Sequence, residues 1–151
     1  MIPHLPDLMT QASALWGRIS SLGELAAAFD DVEERGLSSA VDCLLRHGEK
    51  ESAARLQSLI GLQRVVRQLL DDSMTAYSDI GLSIARTAFG ITVGQRLQDG
   101  VEREIEVEDI YFHCGQDGDE PTCRFQGRII RKDGKPGRRG LIYLTVPGET
   151  K

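Results

Sequence analysis

The sequence is poor in cysteine, and its few cysteines form no pairing pattern. Its three cysteines, Cys43, Cys114 and Cys123, are odd in number and widely spaced. Small secreted domains that depend on disulfides carry a denser and even set of cysteines. The sequence therefore predicts free thiols and a reducing compartment, and we expect the protein to be cytoplasmic.

Long apolar runs are also missing. No stretch approaches the roughly 20 apolar residues that a membrane-spanning helix needs, although 40% of the residues are hydrophobic. The first residues, MIPHLPDLMTQ, lack the basic segment and apolar core of a secretory signal. We therefore expect no membrane partner. A chain of 151 residues is long enough to bury the core of one domain.

None of the common catalytic or cofactor motifs occurs. The chain has no G-x-x-x-x-G-K, no G-x-G-x-x-G after a strand and no G-x-S-x-G. A nucleophile pair of His113 and Cys114 is disfavoured, because neighbouring strand residues point to opposite faces. We predict a protein that is not an enzyme, with no catalytic residues and no cofactor. A small enzyme using His113 and Cys114 is the most distant alternative.

Candidate metal ligands are present, but their spacing matches no known framework. Cys43 and His47 share a helix face at i and i+4, yet the sequence has no C-x-x-C element. The DGDE segment at residues 117–120 starts like a calcium loop, but Arg128 occupies the position of the bidentate glutamate. We predict no metal site.

Aromatic residues make up only 5% of the chain. Few side chains are therefore available to stack on nucleobases, and single-strand recognition has little support from the sequence. The candidates are Tyr111, Phe112, Phe125 and Tyr143, and we expect most of them to lie in the core.

Residues 1–90 carry apolar side chains at helical spacing. Four interruptions divide them into about five predicted helices. Ser21 opens a capping box, and the polar residues 71–73 fit a helix start. Gly36 and Gly48 fit the glycine that follows a helix. Amphipathic helices with short connections predict a bundle.

After Gly90 the apolar pattern alternates, which predicts strands. The predicted strands are VEREIEVEDIYFH at 101–113, TCRFQGRII at 122–130, GLIYLTV at 140–146 and, as a fourth, ITVGQRL at 91–97. The alternation slips near Asp109, which predicts a β-bulge or a strong bend. GLIYLTV is apolar on both parities, which predicts a central or covered strand.

The expected fold class is α+β, because helices and strands are segregated along the chain. A helical part at residues 1–90 precedes an antiparallel meander of three to four strands at residues 91–151. The meander carries a basic hairpin, and the two parts are expected to form one compact domain.

A strongly basic segment lies between the last two predicted strands. Residues 131–139 hold five basic side chains and one acidic one, although the whole chain has a net charge of −5. Gly134, Pro136 and Gly137 predict a turn. A projecting basic turn can bind phosphates without reading a base. We predict nucleic-acid contacts by its basic residues, Arg131, Lys132, Lys135, Arg138 and Arg139. The alternative is a solvated turn whose charge protects a strand edge.

Two nearby arginines are left out of this prediction. On parity, Arg124 and Arg128 can face the glutamates of the preceding strand, namely Glu102, Glu104 and Glu106. Opposite charges across a ladder stabilise a sheet, which explains both arginines without a ligand.

A second basic segment lies at residues 46–70, with five basic and two acidic side chains. Within it, Arg64 and Arg67 are predicted as additional nucleic-acid contacts. A helix-turn-helix is disfavoured, because Gly61 falls inside the segment that should be the recognition helix.

Taken together, these patterns predict a non-enzymatic cytoplasmic binding module that contacts nucleic acid electrostatically through its basic hairpin. The alternative is a protein–protein adaptor or chaperone-like protein that uses its helical half, with a homodimer as one arrangement. DNA and RNA, and single and double strands, stay open as ligands.

Overall fold

The computed structural model describes residues 4–30, 34–98, 104–115 and 119–147. Within these ranges the chain forms three helices followed by four strands: α1 Leu5–Asp30, α2 Glu34–Arg46, α3 Lys50–Phe89, β1 Arg96–Gln98, β2 Glu104–His113, β3 Thr122–Ile130 and β4 Pro136–Thr145. The predicted α+β class is confirmed, with helices before Gly90 and strands after it. In this part of the chain no helix is long and apolar enough to cross a membrane.

The predicted bundle of about five helices is wrong, because two of the predicted helix boundaries lie inside longer helices. Ser21 does not cap a helix: its Oγ donates to the carbonyl of Gly17 at 3.1 Å, within α1. In α3, Ser73 Oγ donates to the carbonyl of Leu69 at 2.7 Å. A serine that bonds the carbonyl four residues back stays inside a helix, although its preferences favour a cap.

The two predicted C-terminal glycines have different outcomes. Gly36 lies within α2, so the helix break predicted there is wrong. Gly48 does follow α2, with a φ of 80° that glycine adopts without steric cost. The backbone N–H of Glu49 donates to the carbonyl of Leu44 at 2.9 Å, as in a Schellman-type ending.

The four strands form one antiparallel meander in the order β1-β2-β3-β4. The predicted bulge is confirmed, since the register of β2 against β3 shifts between Val107 and Asp109. The prediction that GLIYLTV is central or covered is wrong, because β4 is an outer strand of the described sheet. The two faces of β4 differ in exposure: Ile142 is buried, whereas Leu141 and Tyr143 are exposed.

The chain divides into two compact units, which do not follow the order of the sequence. One unit comprises Met1–Trp16 with Ala76–Lys151, and the other comprises Gly17–Thr75. In the second unit, the small core consists of Val41, Ala53 and Ile60. The predicted parts at residues 1–90 and 91–151 stay a prediction as domains.

The core of the first unit covers one face of the sheet. It joins α1 and α3 to the strands through its buried residues, Leu8, Ala12, Ile84, Ala85, Ile105, Val107, Ile110, Phe112, Cys123, Phe125, Ile142 and Val146. The rings of Phe89 and Phe125 meet edge to face at 5.9 Å. Because side chains alternate across a strand, the residues between these positions form an outer face that this core does not cover.

Candidate nucleic-acid interface

The basic turn is shorter than predicted, since β4 already begins at Pro136. The N–H of Arg131 donates to the carbonyl of Lys135 at 3.0 Å, and the N–H of Gly134 donates to the carbonyl of Arg131 at 2.8 Å. Gly134 has a φ of 77°, which favours glycine. Asp133 Oδ1 accepts from the N–H of Lys135 at 3.2 Å. The single acidic side chain of the turn therefore supports the backbone.

The cations at the end of this hairpin have no anionic partners in the described part of the chain. Arg131, Lys132, Lys135 and Arg138 are all exposed, and none of them makes an ion pair with a described residue. We call these four residues the basic tip. Arg138 and Arg131 also line a shallow groove of about 320 Å³ with Ile129 and Gly137.

The fifth predicted residue, Arg139, has a different environment. It lies within β4 opposite Arg128, and its Nε is 3.8 Å from Glu108 Oε2. The Nε of Arg128 donates to the other oxygen of Glu108 at 3.1 Å. One carboxylate thus faces two guanidinium groups, so part of the positive charge on this side of the sheet is balanced.

The predicted cross-strand pairing of the sheet arginines is partly found, and Glu102, one of the predicted partners, lies outside the described residues. Arg128 lies opposite Glu106 in the register, but the bulge brings Glu108 to its guanidinium instead. Arg124 pairs with no carboxylate among the described residues. Its guanidinium carbon instead lies 4.4 Å from the centre of the Tyr111 ring. The expectation that Arg124 balances a glutamate is therefore wrong, because Tyr111 is its partner across the ladder.

The two other predicted contacts lie on the part of α3 that belongs to the second compact unit. Arg64 and Arg67 are exposed positions of α3, and both interact with other groups of the protein. They belong to Gly17–Thr75, whereas the basic tip belongs to the unit that contains the sheet.

The outer face of the sheet carries an aromatic and basic row that the sequence patterns did not predict as a site. Arg124 in β3 lies between Tyr111 in β2 and Tyr143 in β4 in the register. Tyr111 is 45% exposed and Tyr143 is 61% exposed. Of the four aromatic candidates, Phe112 and Phe125 are buried, so the prediction that most of the four lie in the core is wrong. The parity shift after the bulge at Asp109 was the sequence evidence that Tyr111 points outward.

A cavity of about 340 Å³ lies beside this row, lined by Trp16, Tyr111, Phe112, His113, Thr122, Arg124 and Tyr143. The Trp16 and His113 ring centres are 6.1 Å apart. His113 Nδ1 accepts a hydrogen bond from the N–H of Gly115 at 3.2 Å.

The thiols and histidines do not come together as a reactive or metal-binding group. In the described ranges, no three side chains of His, Cys, Asp or Glu form a metal-binding cluster. Burial raises the pKa of the Cys123 thiol to about 12, which suppresses the nucleophilic thiolate. Burial also raises the pKa of the Tyr77 phenol above its usual value.

Comparison with known protein families, with curated proteins and with solved structures finds no match for this chain. Function must therefore be inferred from the geometry of the basic tip and the sheet.

Proposed function

We propose that the protein is a non-enzymatic cytoplasmic binding module that contacts nucleic acid electrostatically through its basic tip. One observation supports this proposal more than any other. The sheet arginines Arg96 and Arg128 have carboxylate partners at 3.2 and 3.1 Å, whereas the four cations of the basic tip have none among the described residues. Exposed cations without internal carboxylate partners are available to an external anion such as a phosphate.

The chemistry of the basic tip suits phosphates. Arginine offers a planar pair of N–H donors, and lysine offers a compact point charge. Such contacts fix the position of a nucleic-acid backbone without reading its sequence. Arg139, which shares Glu108 with Arg128, contributes less than the tip residues. Arg64 and Arg67 are proposed as additional contacts on α3.

The test is a fluorescence-anisotropy titration with labelled single- and double-stranded oligonucleotides at two salt concentrations. We expect the double variant Lys135→Ala/Arg138→Ala to bind more weakly. The slope of log affinity against log salt should fall by roughly one unit for each phosphate that the variant no longer neutralises. Arg46→Ala/Arg55→Ala removes the same charge from exposed positions of α2 and α3 and should leave binding unchanged. Equal binding by both double variants and the wild type would refute the proposal.

The cytoplasmic assignment rests on the thiols. Cys43, Cys114 and Cys123 are all free, and Cys43 is exposed. An exposed thiol persists in a reducing compartment and is prone to oxidation outside it.

A second candidate function is a protein–protein adaptor that uses the helical half, with a homodimer as its simplest form. The observation that favours it is an apolar stripe on α3. Leu59, Leu62 and Val65 are 48%, 47% and 54% exposed, and their three-residue spacing places them along one side of the helix. We call these residues the α3 stripe. Exposed apolar groups of this kind are typical of protein interfaces.

A further inference from the structure

The row formed by Tyr111, Arg124 and Tyr143 has the components of a stacking surface. The two tyrosine rings flank one guanidinium in the register of adjacent strands. Arg124 lies against the Tyr111 ring, which holds the planar guanidinium on the sheet. Tyr143, the more exposed ring, remains available to a planar ligand. Aromatic and arginine planes are the groups on which proteins stack unpaired bases.

Two hydrogen-bond donors beside this row lack an acceptor. Arg124 Nε and Trp16 Nε1 are buried, and neither has a hydrogen-bond partner in the described part of the protein. Both side chains line the same cavity of about 340 Å³. Guanidinium and indole groups can only donate, and an unmatched buried donor is costly. Because both atoms have almost no accessible surface, an acceptor from a ligand reaches them only when these side chains move on binding.

The charged residues of the outer face favour binding of such a ligand along β4 rather than along β2. On β2 this face carries Glu106 and Asp109, both exposed, which repel a phosphate backbone. On β4 the same face leads from Tyr143 through Leu141 to Arg139 and then to the basic tip. Tyr143 lies four strand positions from Arg139, about 14 Å at roughly 3.4 Å per residue. A short single strand can therefore contact both Tyr143 and Arg139, which precedes Leu141 on the same strand.

We propose that the outer face of the sheet binds unpaired nucleotides of a single-stranded nucleic acid. A base stacks on Tyr143, and an oxygen of that nucleotide accepts a hydrogen bond from Arg124. This inference rests on the proposed function and makes it more specific, because it selects single strands over duplexes. In a duplex the base faces are stacked on one another and cannot reach the tyrosine.

Trp16 provides a direct readout of this site, because it is the only tryptophan of the chain and it lines the cavity. The probes are oligothymidylate and oligouridylate of about ten nucleotides, within the usual site size of single-strand binders. A duplex and an abasic strand of the same length are compared with them. Oligonucleotides with bases should change the Trp16 emission and bind more tightly than the duplex or the abasic strand.

Variants of Tyr143 test whether binding depends on stacking against its ring or only on the loss of an exposed side chain. Tyr143→Ala should weaken single-strand affinity about 5- to 150-fold, the range seen when a stacking aromatic is removed. Tyr143→Phe keeps the ring and should retain most of the affinity. The control is Val93→Ala, which truncates an exposed apolar side chain outside this row and should bind like the wild type. Since both altered side chains are exposed, folding should be preserved in each variant, which circular dichroism checks.

The outcomes distinguish the two proposals. Equal affinity for single strands, duplexes and abasic strands, with weaker binding only in the Lys135→Ala/Arg138→Ala variant, would overturn the stacking site and leave the basic tip in place. A Tyr143→Ala variant that binds single strands like the wild type would do the same. If neither the single strand nor the duplex binds at low salt, both proposals fail.

Discussion

Two glycines of α3 show how the surroundings of a single residue decide its role. Gly81 is buried, and a Cβ added to it would lie 2.8 Å from the Cβ of Phe112 in β2. Gly61 is exposed, and a Cβ there would meet nothing within 4 Å. The first glycine permits the close approach of helix and sheet that places Phe112 in the core. The second has no packing function and only weakens the helix.

Alanine substitutions at these two positions should therefore have opposite effects. Gly61→Ala should raise the free energy of unfolding by roughly 1 kcal/mol, the difference in helix propensity. Gly81→Ala should lower it by about 1–3 kcal/mol, because the helix and the sheet must move apart. Urea unfolding followed by circular dichroism measures both changes. Equal changes of the same sign would show that the Gly81–Phe112 approach is not required.

The buried thiol of Cys123 makes stability depend on pH in the alkaline range. Burial raises its pKa from the ordinary 9.0 to about 12. The unfolded chain then loses this proton first, so the stability contributed by Cys123 is complete below pH 9 and is lost as the pH rises toward 12. Other groups also titrate in this range, so Cys123→Ala is the reference. We expect the wild type to lose more stability than this variant between about pH 8 and pH 10.5, measured by urea unfolding. Parallel slopes for the two proteins would contradict the assignment.

At the scale of single elements, the type of each segment could be predicted but several boundaries could not. The helical and alternating apolar periods are local properties of the sequence. The change from helices to strands near Gly90 and the bulge at Asp109 could therefore be predicted from it. Ser21 and Ser73 were misread because a serine can either cap a helix or bond back within it. Only the path of the chain around the serine decides between these alternatives.

The position of β4 in the sheet could not be predicted from local sequence patterns either. Strand order depends on pairing between distant segments, and GLIYLTV has apolar side chains on both parities in either a central or an outer strand. Leu141 and Tyr143 stay exposed because they lie on the face of the sheet that the core does not cover. The cluster of cations at this turn could be predicted from composition alone, whereas the row of Tyr111, Arg124 and Tyr143 required the strand register that aligns these residues.

The ion pairs across β2, β3 and β4 limit the positive charge available to a ligand. Glu108 contacts both Arg128 and Arg139, so Glu108→Gln should release two guanidinium groups. We expect tighter oligonucleotide binding and a steeper salt dependence, because more phosphate contacts become available. Stability should change by about 1 kcal/mol or less, since the groups are partly exposed. Anisotropy at two salt concentrations, with unfolding as the control, tests this. Unchanged or weaker binding would show that these arginines do not face the ligand.

At the scale of the whole molecule, the basic tip is an exception in an acidic protein. The chain carries 23 acidic and 18 basic side chains, so its average charge repels nucleic acid. Local fields rather than net charge decide what approaches a surface. Binding through the tip should therefore be confined to low and moderate salt, where its field is not screened.

The two candidate functions predict different responses to salt. One pair of variants also distinguishes nucleic-acid binding from self-association. Nucleic-acid binding through the basic tip should weaken steeply with salt, whereas self-association through the α3 stripe should not, because apolar burial drives it. Leu62→Glu should abolish self-association in sedimentation equilibrium and leave oligonucleotide affinity unchanged. The matched control, Gln57→Glu, adds the same charge at an exposed position away from the α3 stripe by helical spacing.

The complementary variant, Lys135→Ala/Arg138→Ala, should weaken oligonucleotide binding and leave the mass of the particle unchanged. If Leu62→Glu also abolishes oligonucleotide binding while Gln57→Glu does not, the protein must dimerise to bind the oligonucleotide. Self-association would then be part of nucleic-acid binding. If the wild type is monomeric at every concentration and salt, the homodimer through the α3 stripe is excluded. An adaptor that binds a different protein would then be the form of the second candidate that is left to test.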